Sequence, residues 1–289
     1  MDFIEIAVVD INGEAAEVVS ELFNRYGYGG AVIEALAPHF DKVTVRTVIP
    51  GEDDYKLREI EVLLTLIGKA LPHGLPEPRL QFVGKNDWAD SWKEHFHVVR
   101  VGRNFVIKPG WRDYTPTAND LVIQIDPGLA FGSGLHPTTQ LCLKIFEDMP
   151  LKGKSVFDVG AGSGILAIAA AKLGATPIRA VDNDDIAVRV AKENFELNGL
   201  TNHADTAVGS AADSGRRTWD VVVANILAHI LIDLMPDLAA ALSPHGTLIL
   251  SGMIAGQESD VKAAAEAQNL RVVEHRAEED WVALITSHQ

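Results

Sequence analysis

The chain has a single cysteine, Cys142, among its 289 residues. That excludes an intrachain disulfide and gives no sign of an oxidising compartment. Its neighbours, Gln140-Leu141-Cys142-Leu143, make an apolar setting in which a buried structural thiol is expected rather than a nucleophile. Cations are also scarce: 25 Lys and Arg face 40 Asp and Glu, for a formal net charge of −15. A surface of that sign does not neutralise nucleic-acid phosphates or anionic lipid, so direct nucleic-acid binding is not expected. It suits a basic partner, or serves solubility alone. Apolar runs are too short and interrupted to span a bilayer, so no membrane association is expected. The opening Met1-Asp2-Phe3-Ile4-Glu5 has neither a basic n-region nor a long apolar stretch, and a cytoplasmic location is expected. No His/Cys/Asp/Glu cluster has metal-ligand spacing, so no metal is expected. Internal repeats and low-complexity tracts are missing as well.

What is present is periodic. Residues 3–9 read as a strand, 13–26 as a helix with Ala16, Val19, Leu22, Phe23 and Tyr26 on one face, and 30–35 and 42–49 as strands. A second amphipathic helix over 53–70 and a strand over 79–84 complete the order β-α-β-β-α-β, that of a small ferredoxin-like α+β domain over residues 1–85. Residues 86–120 read as a connecting segment. Trp88, Trp92 and Phe96 share one face of a helix that docks through its aromatics, and short strands follow near 97–101 and 104–108. From 121 to 289 the chain reads as one domain: a strand at 121–125, a long glycine-rich loop, and from 153 onward strands at 155–159, 178–182, 219–224, 246–251 and 281–286 alternating with helices. That alternation predicts an α/β domain with a mostly parallel, Rossmann-like sheet covered on both faces.

The strand Ser155-Val156-Phe157-Asp158-Val159 runs into Gly160-Ala161-Gly162-Ser163-Gly164, which opens a helix. Glycines there let the backbone turn tightly and approach a ligand, but nicotinamide, flavin and methyl-transfer enzymes all use such a loop. Two details separate them. The position that completes the dinucleotide fingerprint is Ile165 rather than glycine or alanine, and an acidic residue, Asp158, precedes the loop. S-adenosylmethionine has no pyrophosphate to cradle and carries a cationic amine that a carboxylate can balance. About twenty residues on, Asp182 closes the next strand, where a carboxylate can accept from both ribose hydroxyls. Asn225, in Val223-Ala224-Asn225-Ile226-Leu227, ends a later strand. It offers a donor and an acceptor beside a transferring methyl, or else caps the following helix.

The stretch Asp126-Pro127-Gly128-Leu129-Ala130-Phe131-Gly132-Ser133-Gly134-Leu135-His136-Pro137-Thr138-Thr139-Gln140-Leu141-Cys142-Leu143 is more specific than any glycine motif. Together with DVGAGSGILAIAAAKLGA, VVVANILAHIL and LSGMIAGQ it resembles the PrmA-type methyltransferases of ribosomal protein L11. The resemblance is strongest over 121–257, and the family carries Thr where this chain has Ser133. It implies a class I methyltransferase domain with S-adenosylmethionine as cofactor. It also implies transfer of several methyl groups to the N-terminal α-amine and lysine ε-amines of ribosomal protein L11, and an N-terminal domain that recognises that protein. Carried onto matching positions, it makes Thr139, Gly160, Asp182 and Asn225 cofactor contacts, joined from the loop reading by Asp158 and Gly162. Phe131 and Asn225 are then the residues at the transfer site. The Phe131 ring face can stabilise methylammonium groups, or the ring can be a core plug that holds the loop down. His136 is a candidate base, but beside Pro137 a structural role is favoured. A monomer is expected. The alternatives are a methyltransferase of another protein lysine or a small molecule, a non-catalytic binding module of the same fold and, more distantly, a nicotinamide dehydrogenase.

Overall fold

In the computed structural model, residues 3–35, 42–83, 97–125, 134, 136–215 and 218–289 are described. The chain divides into two compact units, Met1–Phe96 and His97–Gln289.

The first unit runs β1 (Phe3–Ile11), α1 (Gly13–Tyr26), β2 (Tyr28–Ala35), β3 (Val43–Pro50), α2 (Asp54–Ala70) and β4 (Arg79–Val83). Its sheet has the order β2-β3-β1-β4, with every neighbouring pair antiparallel. This is the ferredoxin-like arrangement read from the sequence. Each helix starts where a side chain satisfies a free backbone donor: Asn12 accepts from the Ala15 N–H and Asp53 from the Lys56 N–H, both at 3.0 Å. Alternation along β1 sends Ile4, Ile6 and Val8 into a core with Val19 and Phe23 of α1 and Ile60 and Leu64 of α2.

The second unit opens with a three-stranded sheet of order β5-β6-β7, formed by β5 (Val99–Val101), β6 (Phe105–Lys108) and β7 (Leu121–Gln124). Residues 97–120, placed by sequence in a connecting segment, therefore lie inside this unit. Val101, Phe105 and Ile107 are buried in its main core, which is why they do not behave as a linker. Helix α3 (Pro137–Asp148) follows, over residues that the sequence reading left inside a long loop. His136 caps it and Pro137, at its first turn, gives up only a donor that would be unpaired there. Then come β8 (Val156–Val159), α4 (Ile165–Lys172), β9 (Ile178–Asp182), α5 (Asp185–Leu197), β10 (Ala204–Val208), β11 (Trp219–Asn225), α6 (Ala228–Ala241), β12 (Leu242–Ile254), α7 (Glu258–Ala267), β13 (Leu270–Glu278) and β14 (Trp281–His288).

These seven strands form one sheet of order β10-β9-β8-β11-β12-β14-β13. The first five are parallel, and β14 is antiparallel to both of its neighbours. Successive strand residues go to opposite faces. Val156, Val221 and Val223 join α3 and α4 in one core, while Phe157, Val222 and Ala224 join α6 and α7 in the other. Burial on both faces explains why these strands read as continuous apolar runs. Strands β10 and β13 were not read from the sequence. They are the two edges, and their partly exposed, charge-bearing residues give no apolar run. No helix among the described residues is long and apolar enough to cross a membrane.

Candidate active site

The strand order reverses at β8, which has β9 on one side and β11 on the other. Chain leaving these strands departs in opposite directions, so a crevice opens at their carboxyl ends. The residues singled out by sequence at 158–164, 182 and 225 all sit there.

The turn after β8 is held by main chain. The Gly160 and Ala161 N–H groups donate to the Val181 carbonyl at 2.9 and 3.0 Å, and the Gly162 N–H donates to Asp182 Oδ2 at 2.8 Å. Gly160 has φ +72°, and a Cβ on it would collide with the Ile226 side chain, so glycine is required on both counts. Gly164 has φ +79°, and a Cβ there would lie 3.1 Å from Ala191 Cβ, where α5 presses on the loop.

Asp158 is fully buried and accepts from the Ala167 N–H at 3.1 Å. Helix α4 starts at Gly164, which has no side chain to cap it, so Asp158 supplies that acceptor from the neighbouring strand. Burial pushes its carboxyl up to about 7, helped by the nearby Asp182 charge and opposed by the Ala167 hydrogen bond. Asp182 is also raised, by burial first, although Gly162 and Asp184 N–H groups bond its two oxygens at 2.8 and 3.1 Å.

Asn225 does not cap α6, whose N-cap is Leu227. Its Nδ2 instead donates to Thr139 Oγ1 at 3.3 Å, and its Oδ1 is buried with no hydrogen-bond partner. A buried acceptor without a partner is costly, and such atoms persist where a ligand supplies the donor. His136 is the N-cap of α3, with Nδ1 2.7 Å from Thr138 Oγ1 and its ring edge-on to Trp281 at 4.5 Å. Burial lowers its pKa to about 4, so it is neutral at pH 7 and a weak base, in keeping with a structural role. Burial likewise pushes the Cys142 thiol up to about 12, away from nucleophilic use. Phe131 lies outside the described residues, as do Trp88, Trp92 and Phe96. No group of three or more metal-ligating side chains occurs among the described residues.

Gly160 and Gly162 are thus bonded to the end of β9, Asp158 bonds the start of α4, and Asn225 bonds Thr139 directly. Three further residues were not singled out from sequence. Asn194, buried in α5, donates from Nδ2 to the Ser163 carbonyl at 2.9 Å and steadies the loop. It was legible as a polar residue on the stripe Ala187, Ala191, Phe195. Ser251 donates to the Thr138 carbonyl at 3.4 Å, and Thr138 braces His136; neither had a sequence signal beyond proximity to a motif.

The donor set fits a nucleoside cofactor with a cationic amine. Acidic groups stand at the ends of two adjacent strands, and the loop between them lacks the dinucleotide fingerprint. Comparison with known proteins points the same way. The family model for ribosomal protein L11 methyltransferase (PrmA) matches residues 2–289. Ribosomal protein L11 methyltransferases from Chloroflexus aurantiacus and Herpetosiphon aurantiacus are each 41% identical to this chain. The alignments cover 98% of this chain in both cases, and 97% and 98% of those proteins respectively. The crystal structure of a ribosomal protein L11 methylase from Lactobacillus delbrueckii subsp. bulgaricus superposes with a TM-score of 0.64 at 38% identity, covering 67% of this chain and all of that one. The chain belongs to the ribosomal protein L11 methyltransferase (PrmA) family.

Proposed function

We propose that this protein transfers methyl groups from S-adenosylmethionine to amines of ribosomal protein L11, the N-terminal α-amine and lysine ε-amines, in the cytoplasm. The observation that carries the reading is the unpartnered Asn225 Oδ1, a buried acceptor at the carboxyl end of β11 beside the glycine loop. S-adenosylmethionine, when bound, supplies a methyl group on a sulfonium sulfur and leaves as S-adenosylhomocysteine. Asp182 takes the ribose hydroxyls, and Gly160 and Gly162 let the backbone approach. Asp158 stands beneath the aminoacyl end, where a bound cationic amine would favour its charged form, and Thr139 closes the opposite wall. Asn225 Oδ1 accepts an N–H of the incoming amine and aims its lone pair at the methyl group. Only a neutral amine is nucleophilic, and a buried site disfavours the ammonium form. Positioning and a preorganised acceptor carry the displacement, and the released proton passes to solvent, since neither His136 nor Cys142 titrates usefully.

The first unit supports recognition of a protein. Tyr55, Val62 and Leu66 stand exposed along one face of α2, and Leu80 and Phe82 along β4, with Tyr55 79% and Phe82 78% accessible. That many large apolar side chains on one small unit suit a protein-binding surface, and we assign it to ribosomal protein L11. The test is mass spectrometry of unmethylated ribosomal protein L11 incubated with the enzyme and S-adenosylmethionine. Successive single-methyl mass steps are expected, and their loss in Asn225→Ala. An unchanged mass, with calorimetry still showing cofactor binding, would discard the substrate and keep the cofactor.

A further inference from the structure

We infer that Asn198 is a positioning residue for the cofactor site: from the far end of helix α5 its side-chain amide fixes that helix against β7, and α5 in turn fixes the glycine loop and Asp182. This role rests on the functional reading above for what the loop holds, and Asn198 itself bonds none of the groups assigned to the cofactor.

Strand β7 stands at one side of its sheet, whose order is β5-β6-β7. The Leu121 and Ile125 N–H groups donate to carbonyls on the β6 side, so the backbone of Gln124, one residue out of phase with them, faces the other way. Asn198 meets it there. The Gln124 N–H donates to Asn198 Oδ1 at 2.9 Å, and Asn198 Nδ2 donates to the Gln124 carbonyl at 2.7 Å. A primary amide carries a donor and an acceptor side by side, so one side chain does what a residue of a neighbouring strand would do. Nδ2 also donates to the Asn194 carbonyl at 2.8 Å, one turn earlier in α5. The orientation is forced. A backbone N–H only donates and a carbonyl only accepts, so half a turn of the amide would set donor against donor and oxygen against two oxygens.

The helix anchored in this way carries supports of the crevice along its length. At its start Asp184 accepts from the Ile186 N–H at 2.8 Å, and the Asp184 N–H donates to Asp182 Oδ1 at 3.1 Å. Further on, buried Asn194 donates to the Ser163 carbonyl inside the glycine loop at 2.9 Å. Ala191 and Phe195 press on the same loop, where a Cβ on Gly164 would lie 3.1 and 3.4 Å from them. These apolar contacts resist separation, but packed helices slide along one another with little change in such contacts. Directional bonds are what set the axial position. The bonds at Asp182 and Ser163 are made to the loop assembly that needs support, so they cannot also be its external reference. Asn198 supplies one, because β7 belongs to a different sheet and is seated by buried Ile123 and Ile125. Helix α5 has 13 residues, so the anchor acts on Asp182 from about 20 Å away.

The test measures the calorimetric dissociation constant for S-adenosylhomocysteine beside the urea midpoint in four variants of the full chain. Asn198→Ala removes the anchor. Asn198→Asp keeps its shape and its acceptor for Gln124 but turns the donor into an oxygen facing two carbonyls, and it serves where the alanine variant does not fold. Asn194→Ala removes the bond to the loop. Asp220→Ala is the control: its carboxylate accepts from the Ser155 N–H and hydroxyl, both at 2.9 Å, at the amino ends of β8 and β11, away from the crevice. All four should lower the urea midpoint. N198A and N198D should raise the dissociation constant about fivefold and N194A about tenfold, with D220A within about twofold of wild type. The N194A/N198A double variant should lose less than the product of the single effects, because part of what Asn198 does passes through Asn194. Wild-type affinity in both Asn198 variants would make the residue a stabilising cap and nothing more, and an equal loss in D220A would reduce the effect to general destabilisation; either result overturns the inference. A second readout needs no ligand. In the cofactor-free protein, amide exchange at Gly160, Ala161 and Gly162 should quicken in N198A and N198D and stay as in wild type in D220A. A wild-type protein that does not bind S-adenosylhomocysteine would discard the functional reading and leave this comparison to decide, and unchanged exchange would sink the role of Asn198 by itself.

Discussion

Burial moves Asp158 and His136 in opposite senses, the carboxyl up to about 7 and the imidazole down to about 4. Their consequences for stability differ in sign. Between its ordinary value of 3.8 and about 7, folded Asp158 keeps a proton that the unfolded chain has released, so stability falls as pH rises through that window. Between about 4 and 6.5, unfolded His136 holds a proton that the folded chain excludes, so stability falls as pH drops. The two oppose each other, and the His136 contribution fades above pH 6.5 as the unfolded imidazole loses its proton. For the protein without cofactor, the unfolding free energy should decline gently from about pH 6.5 to 7.5, by a few tenths of a kcal/mol per pH unit, because folded Asp158 is itself losing its proton across that range. Asp158→Asn keeps an oxygen for the Ala167 N–H and removes the titration, so it should flatten the decline. Urea titrations at several pH values read this directly; a slope unchanged in the variant would assign the titration to another group. Asp182→Ala acts at the same scale but on binding. It removes a charged acceptor and also frees the Gly162 N–H, so S-adenosylhomocysteine affinity should fall by about 1–3 kcal/mol. Calorimetry showing wild-type affinity would take Asp182 out of the site.

At the scale of elements, helix α3 links the three-stranded sheet to the crevice. Its first turn carries Thr139, and near its last turn Glu147, with a side chain only 2% exposed, accepts from the backbone N–H groups of Arg103, Asn104 and Phe105 at 2.7, 2.6 and 3.2 Å. One carboxylate thus terminates the β5–β6 turn. Glu147→Ala leaves these donors, exposed at Arg103 and part-buried at Asn104 and Phe105, without their acceptor and should cost about 1–2 kcal/mol of unfolding free energy; Glu147→Gln, with one oxygen kept, should cost about half. Equal urea midpoints for all three proteins would mean that water replaces the carboxylate freely. This anchor was not legible in sequence, because Glu147 and Arg103 lie 44 residues apart and nothing local marks a glutamate as buried. The contrast with α1, β8 and β11 is physical. Those elements declare themselves through apolar period and caps, and the glycine loop and Asp182 through the backbone geometry that a strand-to-helix turn demands. Helix α3 was hidden behind a glycine-rich approach, and β10 and β13 by their place at the sheet edges. Asn225 was legible as a site residue, but its choice of Thr139 over the helix cap depended on where helix α3 packs against the end of β11.

At the scale of the whole molecule, the two units carry separate buried cores, one around Ile6, Phe23 and Ile60, the others on the two faces of the seven-stranded sheet. The net charge of −15 gives the protein a long-range attraction for a basic partner. The association rate with ribosomal protein L11 should therefore fall as salt is raised past the point where the Debye length shrinks below about 8 Å, while the dissociation rate changes little. Stopped-flow rates independent of salt would confine the acidity to solubility. The division of labour has a sharper consequence. Every described residue assigned to the cofactor lies in His97–Gln289, and the exposed apolar residues Tyr55, Val62, Leu66, Leu80 and Phe82 lie in Met1–Phe96. If the second unit's cores suffice for folding, residues 97–289 expressed alone should bind S-adenosylhomocysteine with an affinity close to that of the full chain. They should methylate ribosomal protein L11 with a greatly raised KM, because the surface that holds the protein is gone while the groups that act on the amine remain. Phe82→Asp in the full chain should show a milder form of the same split, KM up and the calorimetric cofactor affinity unchanged, since a charge placed on an apolar contact repels the partner without touching the crevice. Loss of cofactor binding in the isolated unit would instead make the first unit part of the cofactor site, and an unaltered KM in both proteins would move substrate recognition to the catalytic unit itself.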